Sequence, residues 1–247
     1  METKIGNIKL YVTGNQEDMS KKAAGIISAQ INEKPGSVIG FATGSTPVGT
    51  YEELIKMHKE QGLDFSGITT FNLDEYYPLD GRNPQSYRYF MFNNLFNHVN
   101  VDVSKVNILD GTADNWESEA AEYERKIENA GGIDLQLLGI GTNGHIAFNE
   151  PGEVFSGFTT LVNLTEETIR VNSRFFEKED DVPKTALSMG IRSIMMARKI
   201  VLIANGGAKS KAVKDAVFGD ITPVLPGSVL QLHQDVTFVV DKEAWGA

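Results

Sequence analysis

The sequence predicts an α/β fold. It reads as a single domain, residues 1–247, with an open, mostly parallel sheet and helices on both faces, doubly wound in the Rossmann-like manner. Three observations carry this. Short β-rich apolar runs recur along the chain, and helix-patterned stretches separate most of them. The runs are apolar at consecutive positions, not alternate ones, so both faces of each strand need cover. That pattern marks a parallel sheet between helices. The length suits one large domain or two small ones, and no linker, repeat or low-complexity tract divides it.

The elements follow in order. "IKLYV" (8–12) reads as the first strand, and Met19, Ala23, Ile26, Ile27 and Ile31 then recur at helical spacing over 16–33. "SVIGFA" (37–42) leads to a helix over 47–60. There Pro47 follows Thr46, a cap with proline at the first helical position. "ITTFNL" (68–73) precedes a helix over 85–98, and "VNIL" (106–109) one over 115–130. "IDLQLLGI" (133–140) runs into a glycine-rich turn. The stretch 150–184 is polar and irregular, either a cover for a site or an excursion. "KIVLIA" (199–204), a helix over 207–218, the short turn-helix "LPGSVLQLH" (225–233) and "VTFVV" (236–240) complete the pattern.

Composition excludes several classes. With 41% hydrophobic and 23% charged residues the chain is an ordinary soluble globular protein. Its net charge of -10 argues against nucleic acid or an anionic membrane as partner. A small anionic substrate in a locally positive pocket remains compatible. The absence of cysteine excludes disulfides, a thiol nucleophile and a Cys-ligated metal. "METKIGNIKLYV" lacks the pattern of a signal peptide, and no run approaches the roughly 18 apolar residues of a membrane span. The cytoplasm is the expected compartment.

In folds of this kind ligands sit beyond the carboxyl ends of the strands. Four such places carry chemistry. "ATGSTP" (42–47) offers a tight turn at Gly44, the hydroxyls of Thr43, Ser45 and Thr46, and the positive end of the next helix, which together suit an anion. The plainer reading is an ordinary helix cap. In "FNLDEYYPL" (71–79), Asp74 and Glu75 end an apolar strand. Neighbouring strand residues point to opposite faces, so one carboxylate is expected in the pocket as a general base. Otherwise both are solvated loop residues.

"GIGTNGHIAFNEP" (139–151) presents Asn143, His145, Asn149 and Glu150 on a turn directly after a buried strand. Histidine is suited to moving protons near neutral pH. Either Asn143 or Glu150 can hold its ring in one tautomer. A zinc site finds little support, since His58, His98 and His233 show no ligand spacing with His145. Last, Arg174 in "NSRFF" and Lys209 in "ANGGAKSKAV" are candidate phosphate clamps. Lys211 and Lys214 read as surface charges.

Together, "ATGSTP", "FNLDEYYPL", "GTNGHIAFNEP", "NSRFF", "VPKTALSMGI" and "LPGSVLQLH" resemble the isomerising glucosamine-6-phosphate deaminases over positions 42–233. The related 6-phosphogluconolactonases share the fold and a Gly-Ser-Thr-Pro turn, but their corresponding loop lacks a counterpart of Glu150. The resemblance implies conversion of an amino-sugar phosphate, glucosamine 6-phosphate, with water to fructose 6-phosphate and ammonia, with no metal or organic cofactor. It implies Asp74 as the base between C2 and C1, His145 as the ring opener, and Asn143 and Glu150 as its assistants. Thr43, Gly44, Ser45, Thr46, Arg174 and Lys209 would hold the phosphate. Two departures stand out. Asn143 replaces the Asp of some members. "GEVFSGFTTLVN" (152–163) also lacks the basic residues of an allosteric phosphate site. A monomer or small homo-oligomer is expected.

Overall fold

The computed structural model describes residues 2–173, 176, 178 and 181–247. In chain order its strands are β1 (Glu2–Ile5), β2 (Ile8–Thr13), β3 (Val38–Phe41), β4 (Thr69–Asn72), β5 (Asp74–Tyr77), β6 (Val106–Asn107), β7 (Leu135–Leu138), β8 (Thr160–Asn163), β9 (Thr185–Ser188), β10 (Lys199–Ala204) and β11 (Val236–Asp241). The helices are α1 (Gln16–Glu33), α2 (Val48–Gln61), α3 (Tyr87–Asn94), α4 (Trp116–Asn129), α5 (Glu166–Asn172), α6 (Ile191–Met195), α7 (Ser210–Phe218) and α8 (Lys242–Trp245).

The main sheet runs β1-β2-β11-β10-β7-β3-β4-β6. All its pairings are parallel except β1 with β2. Strands β3, β7 and β11 are buried at every residue, as strands covered on both faces must be. Helix α1 buries Met19, Ala23, Ile27 and Ile31, the stripe its spacing predicted. It starts at Asn15, whose side chain accepts the Asp18 N–H, with Glu17 and Asp18 favoured by the helix dipole in the first turn. Among the described residues no helix is long and apolar enough to cross a membrane.

Two helix ends differ from expectation. Helix α2 starts at Val48, with Pro47 just before it and no side-chain cap. Thr46 does not cap it because the Thr46 hydroxyl donates to Asn205 Oδ1 instead, at 2.9 Å. The helix expected over 85–98 ends at Asn94 and passes into a 3-10 turn at Phe96–His98.

The larger surprise is a second, antiparallel sheet of order β5-β9-β8. At Leu73 the chain changes partners. The Leu73 N–H still donates to Phe41 O of the main sheet at 3.3 Å, but Leu73 O accepts from Met189 N of the small sheet at 2.7 Å. The polar stretch 150–184 supplies β8, which pairs with β9 in the small sheet, and α5, whose Glu167, Thr168, Val171 and Asn172 wall the cleft described next.

Candidate active site

A cleft of about 360 Å³ opens beyond β3, β4, β7 and β10. Thr43, Gly44, Ser45, Thr46, Asp74, Asn143, His145 and Lys209 all line it, so one cavity gathers residues from four separate stretches. Glu150 does not line this cleft; its carboxylate reaches Asn143 and His145 from behind. Arg174 lies outside the described residues.

At one end the turn after β3 swings through Gly44, whose φ of 102° favours glycine, and delivers the chain into α2. First-turn N–H groups of a helix have no partner within the helix and carry its positive end. Beside them Lys209 Nζ donates to Thr46 Oγ1 at 3.0 Å, and Thr46 in turn donates to Asn205 Oδ1. Thr46 therefore braces Lys209 against the turn and has its own hydroxyl proton engaged. A cation next to a helix start is suited to an anion.

Adjacent carboxylates behave as the strand rule requires. Asp74 faces the cleft, opposite Ser188 in the register of β5 and β9. Glu75 points away and accepts the backbone N–H groups of Tyr76, Tyr87 and Arg88, each at 2.9 Å. Tyr87 and Arg88 open α3, so Glu75 is a charged cap for that helix. Burial, with the Glu75 charge adding to it, pushes the Asp74 carboxyl up to about 8. Burial also pushes Glu75 up, against the pull of its three N–H donors.

The turn after β7 holds the histidine. Asn143 Oδ1 accepts the backbone N–H of His145 at 3.1 Å, not its ring. The ring Nδ1 faces Glu150 Oε2 at 3.4 Å. That contact is long and off line, and Nδ1 is buried without a well-formed hydrogen bond. Asn143 Nδ2 donates to the same Glu150 oxygen at 2.8 Å. So of the two partners left open by sequence, Glu150 addresses the ring and Asn143 braces both. Burial would raise Glu150, but the His145 ring and the Thr168 and Asn143 donors outweigh it and hold the carboxylate at about 2. It is therefore a standing negative charge behind the imidazole. Gly141 lies directly against that ring, where a Cβ would stand 2.4 Å from His145 Cε1. Only glycine leaves the imidazole its place.

Several lining residues were not singled out from sequence. Asn205 directly follows β10, so the strand-end rule, applied once more, would have found it. Tyr87 and Phe148 stack at 5.8 Å with 13° between planes and line the cleft. Thr168 and Asn172, on α5, carry no sequence signal. Their positions depend on how α5 packs.

Acid–base groups that share one cleft with a lysine and a helix start, at the carboxyl end of such a sheet, are the equipment of a class of enzymes that move protons on small anionic substrates. Within that class, the chain belongs to the family described as glucosamine-6-phosphate isomerases/6-phosphogluconolactonase, whose model matches residues 15–239. It is 57% identical over 237 residues to a glucosamine-6-phosphate deaminase of Clostridium botulinum (strain Loch Maree / Type A3), covering 96% of this chain and 97% of that one. A solved monomeric glucosamine-6-phosphate deaminase superposes with a TM-score of 0.94 at 43% identity, over 96% of this chain and 98% of the other. A 6-phosphogluconolactonase from Leishmania guyanensis matches with a TM-score of 0.75 at 23% identity, over 95% and 96% of the two chains, a likeness of fold alone.

Proposed function

We propose that the protein is a glucosamine-6-phosphate deaminase, converting glucosamine 6-phosphate and water to fructose 6-phosphate and ammonia. The observation that carries this is Asp74, a cleft-lining carboxylate raised to about 8 by burial. A base of that strength can take a proton from carbon, which the hydrolysis of a lactone never requires. The relatives' names support the same substrate.

In this reading the phosphate lies at the α2 start, held by its N–H groups, the 43–46 turn and Lys209, with Arg174 as a further clamp. His145 moves the O1 proton to the ring oxygen and opens the sugar. Glu150 stabilises the charge that develops on the imidazole, and Asn143 keeps the two aligned. Asp74 takes the C2 proton as electrons flow to O1, then returns it to C1. Water adds at the resulting C2 imine and ammonia leaves. Charged contacts hold the substrate still while C1 and C2 rehybridise.

The chain is proposed to act as one unit, its core running from Ile8 to Ala244, and as a monomer, like the relative solved in that state. The cytoplasm is its proposed site, because a phosphate ester does not cross a membrane unaided. Incubation with glucosamine 6-phosphate tests the function. Ammonia and fructose 6-phosphate should appear in equal amounts. Absence of both, or hydrolysis of 6-phosphogluconolactone in their place, sinks the proposal.

A further inference from the structure

Glu150 is held from a direction that the proposed chemistry leaves unexplained. Its Oε2 faces Asn143 and His145, but its Oε1 is taken by α5. The Thr168 hydroxyl donates to Oε1, and the Thr165 hydroxyl lies 3.3 Å from the same oxygen. Thr165 also caps α5, accepting the Thr168 N–H at 3.2 Å, and its Oγ1 is 3.1 Å from Thr168 Oγ1. Thr168 is 5% exposed, so water does not compete for its hydroxyl. Further along the same helix Asn172 Nδ2 donates to Tyr76 Oη at 2.9 Å, on the strand that carries Asp74. Helix α5 is thus tied at its start to the carboxylate behind His145 and at its end to the strand of Asp74.

We propose that the Thr168 hydroxyl is the positioning group for the Glu150–His145 pair, so that proton transfer by His145 depends on the seating of α5. The geometry gives the reason. A carboxylate fixed at one oxygen still turns about its long axis, whereas one fixed at both has a set plane. The His145 contact, at 3.4 Å and off line, is the one most sensitive to that plane. Without the Thr168 hydroxyl, Oε1 keeps only the long Thr165 contact. The neighbouring Glu167 does not take over, since its carboxylate is turned to Thr142, accepting from Oγ1 at 3.0 Å. Thr168 acts through Glu150, and the inference rests on the deaminase reading of His145.

The test compares Thr168→Val, which keeps the shape and loses the hydroxyl, with Thr168→Ser, which keeps the hydroxyl. With glucosamine 6-phosphate, Thr168→Val is expected to lower kcat about tenfold with KM within about threefold, because phosphate binding is left intact. Thr168→Ser should stay within about twofold of the parent. Thr168→Ala replaces the valine variant if valine prevents folding. A hydroxyl-free variant with the parent's kcat overturns the proposal, and so does a serine variant that falls as far as valine. A parent protein that releases no ammonia defeats the functional reading instead. In that event the ring nitrogens of His145, followed by ¹⁵N NMR, decide Thr168: displaced resonances in Thr168→Val support its role, and unmoved ones overturn it.

Discussion

Asp74 shows one burial with two opposite consequences. Lifted from 3.8 to about 8, it becomes a strong base, and it also makes the fold sensitive to pH. Between those values the folded protein keeps a proton that the unfolded chain has released. Stability is therefore fully present below about 4 and lost as pH rises toward 8. Asp74→Asn removes that loss. Its melting temperature should exceed the parent's by a margin that grows from pH 5 to pH 8, while kcat falls about 10²- to 10⁴-fold. Thermal unfolding at the two pH values, beside ammonia release, checks both halves. A variant with near-parental turnover would mean Asp74 is not the base.

Gly141 makes a companion case without any charge. Gly141→Ala should fold and bind substrate, yet lose about 10²-fold in kcat, since a ring displaced by about 1 Å no longer meets its proton. Normal kcat in this variant would show that His145 tolerates displacement.

Among the elements, α3 is capped by Ser86, which accepts the Tyr89 N–H, and gains a second acceptor from outside its own chain segment in Glu75, which takes the Tyr87 and Arg88 N–H groups. Glu75→Gln replaces a carboxylate that serves three N–H groups by an amide with one acceptor oxygen. The expected cost is about 1–2 kcal/mol of stability, read from denaturant unfolding. The same change removes the charge that helps to raise Asp74, so the acid limb of kcat/KM should move to lower pH. An unmoved limb would separate the two carboxylates.

Elements also explain what the sequence made legible. Strands β3, β7, β10 and β11 are buried on both faces and so announce themselves as unbroken apolar runs. The small sheet is built from "DEYY", "TLVN" and "TALS", short and mixed in polarity. Its pairings join segments far apart in the chain, and no local pattern encodes that. The same contrast holds in the site. Asp74, His145 and Lys209 stand at strand ends, where a general rule looks. Thr168 reaches Glu150 only through the packing of α5, and the role of Glu75, which the strand rule leaves open, is set by the start of α3 against it.

The whole molecule gives simpler expectations. Light scattering should return the mass of one chain across the micromolar range; a concentration-dependent larger mass would refute the monomer. Residues 152–163 carry no Lys or Arg for a second phosphate. Saturation by glucosamine 6-phosphate should therefore be hyperbolic and unchanged by N-acetylglucosamine 6-phosphate, since coupling requires a site that binds its effector differently in two states. Sigmoidal curves made hyperbolic by that compound would reveal such a site elsewhere.

The change of partner at Leu73 bears on how the protein is made. Asp74 lies opposite Ser188, so during synthesis its strand waits for more than a hundred further residues before it has anything to pair with. Local helices such as α1 and α2 form early, whereas pairings this distant close late, because the ends of a long loop must first meet. Until β9 emerges from the ribosome Asp74, the proposed base, remains in water as an ordinary ionised carboxylate. Pairing with β9 then completes the burial of the side chain proposed to do the chemistry. Pulse-labelled hydrogen exchange during refolding should accordingly protect the β5 and β9 amides together, after those of β3 and β7.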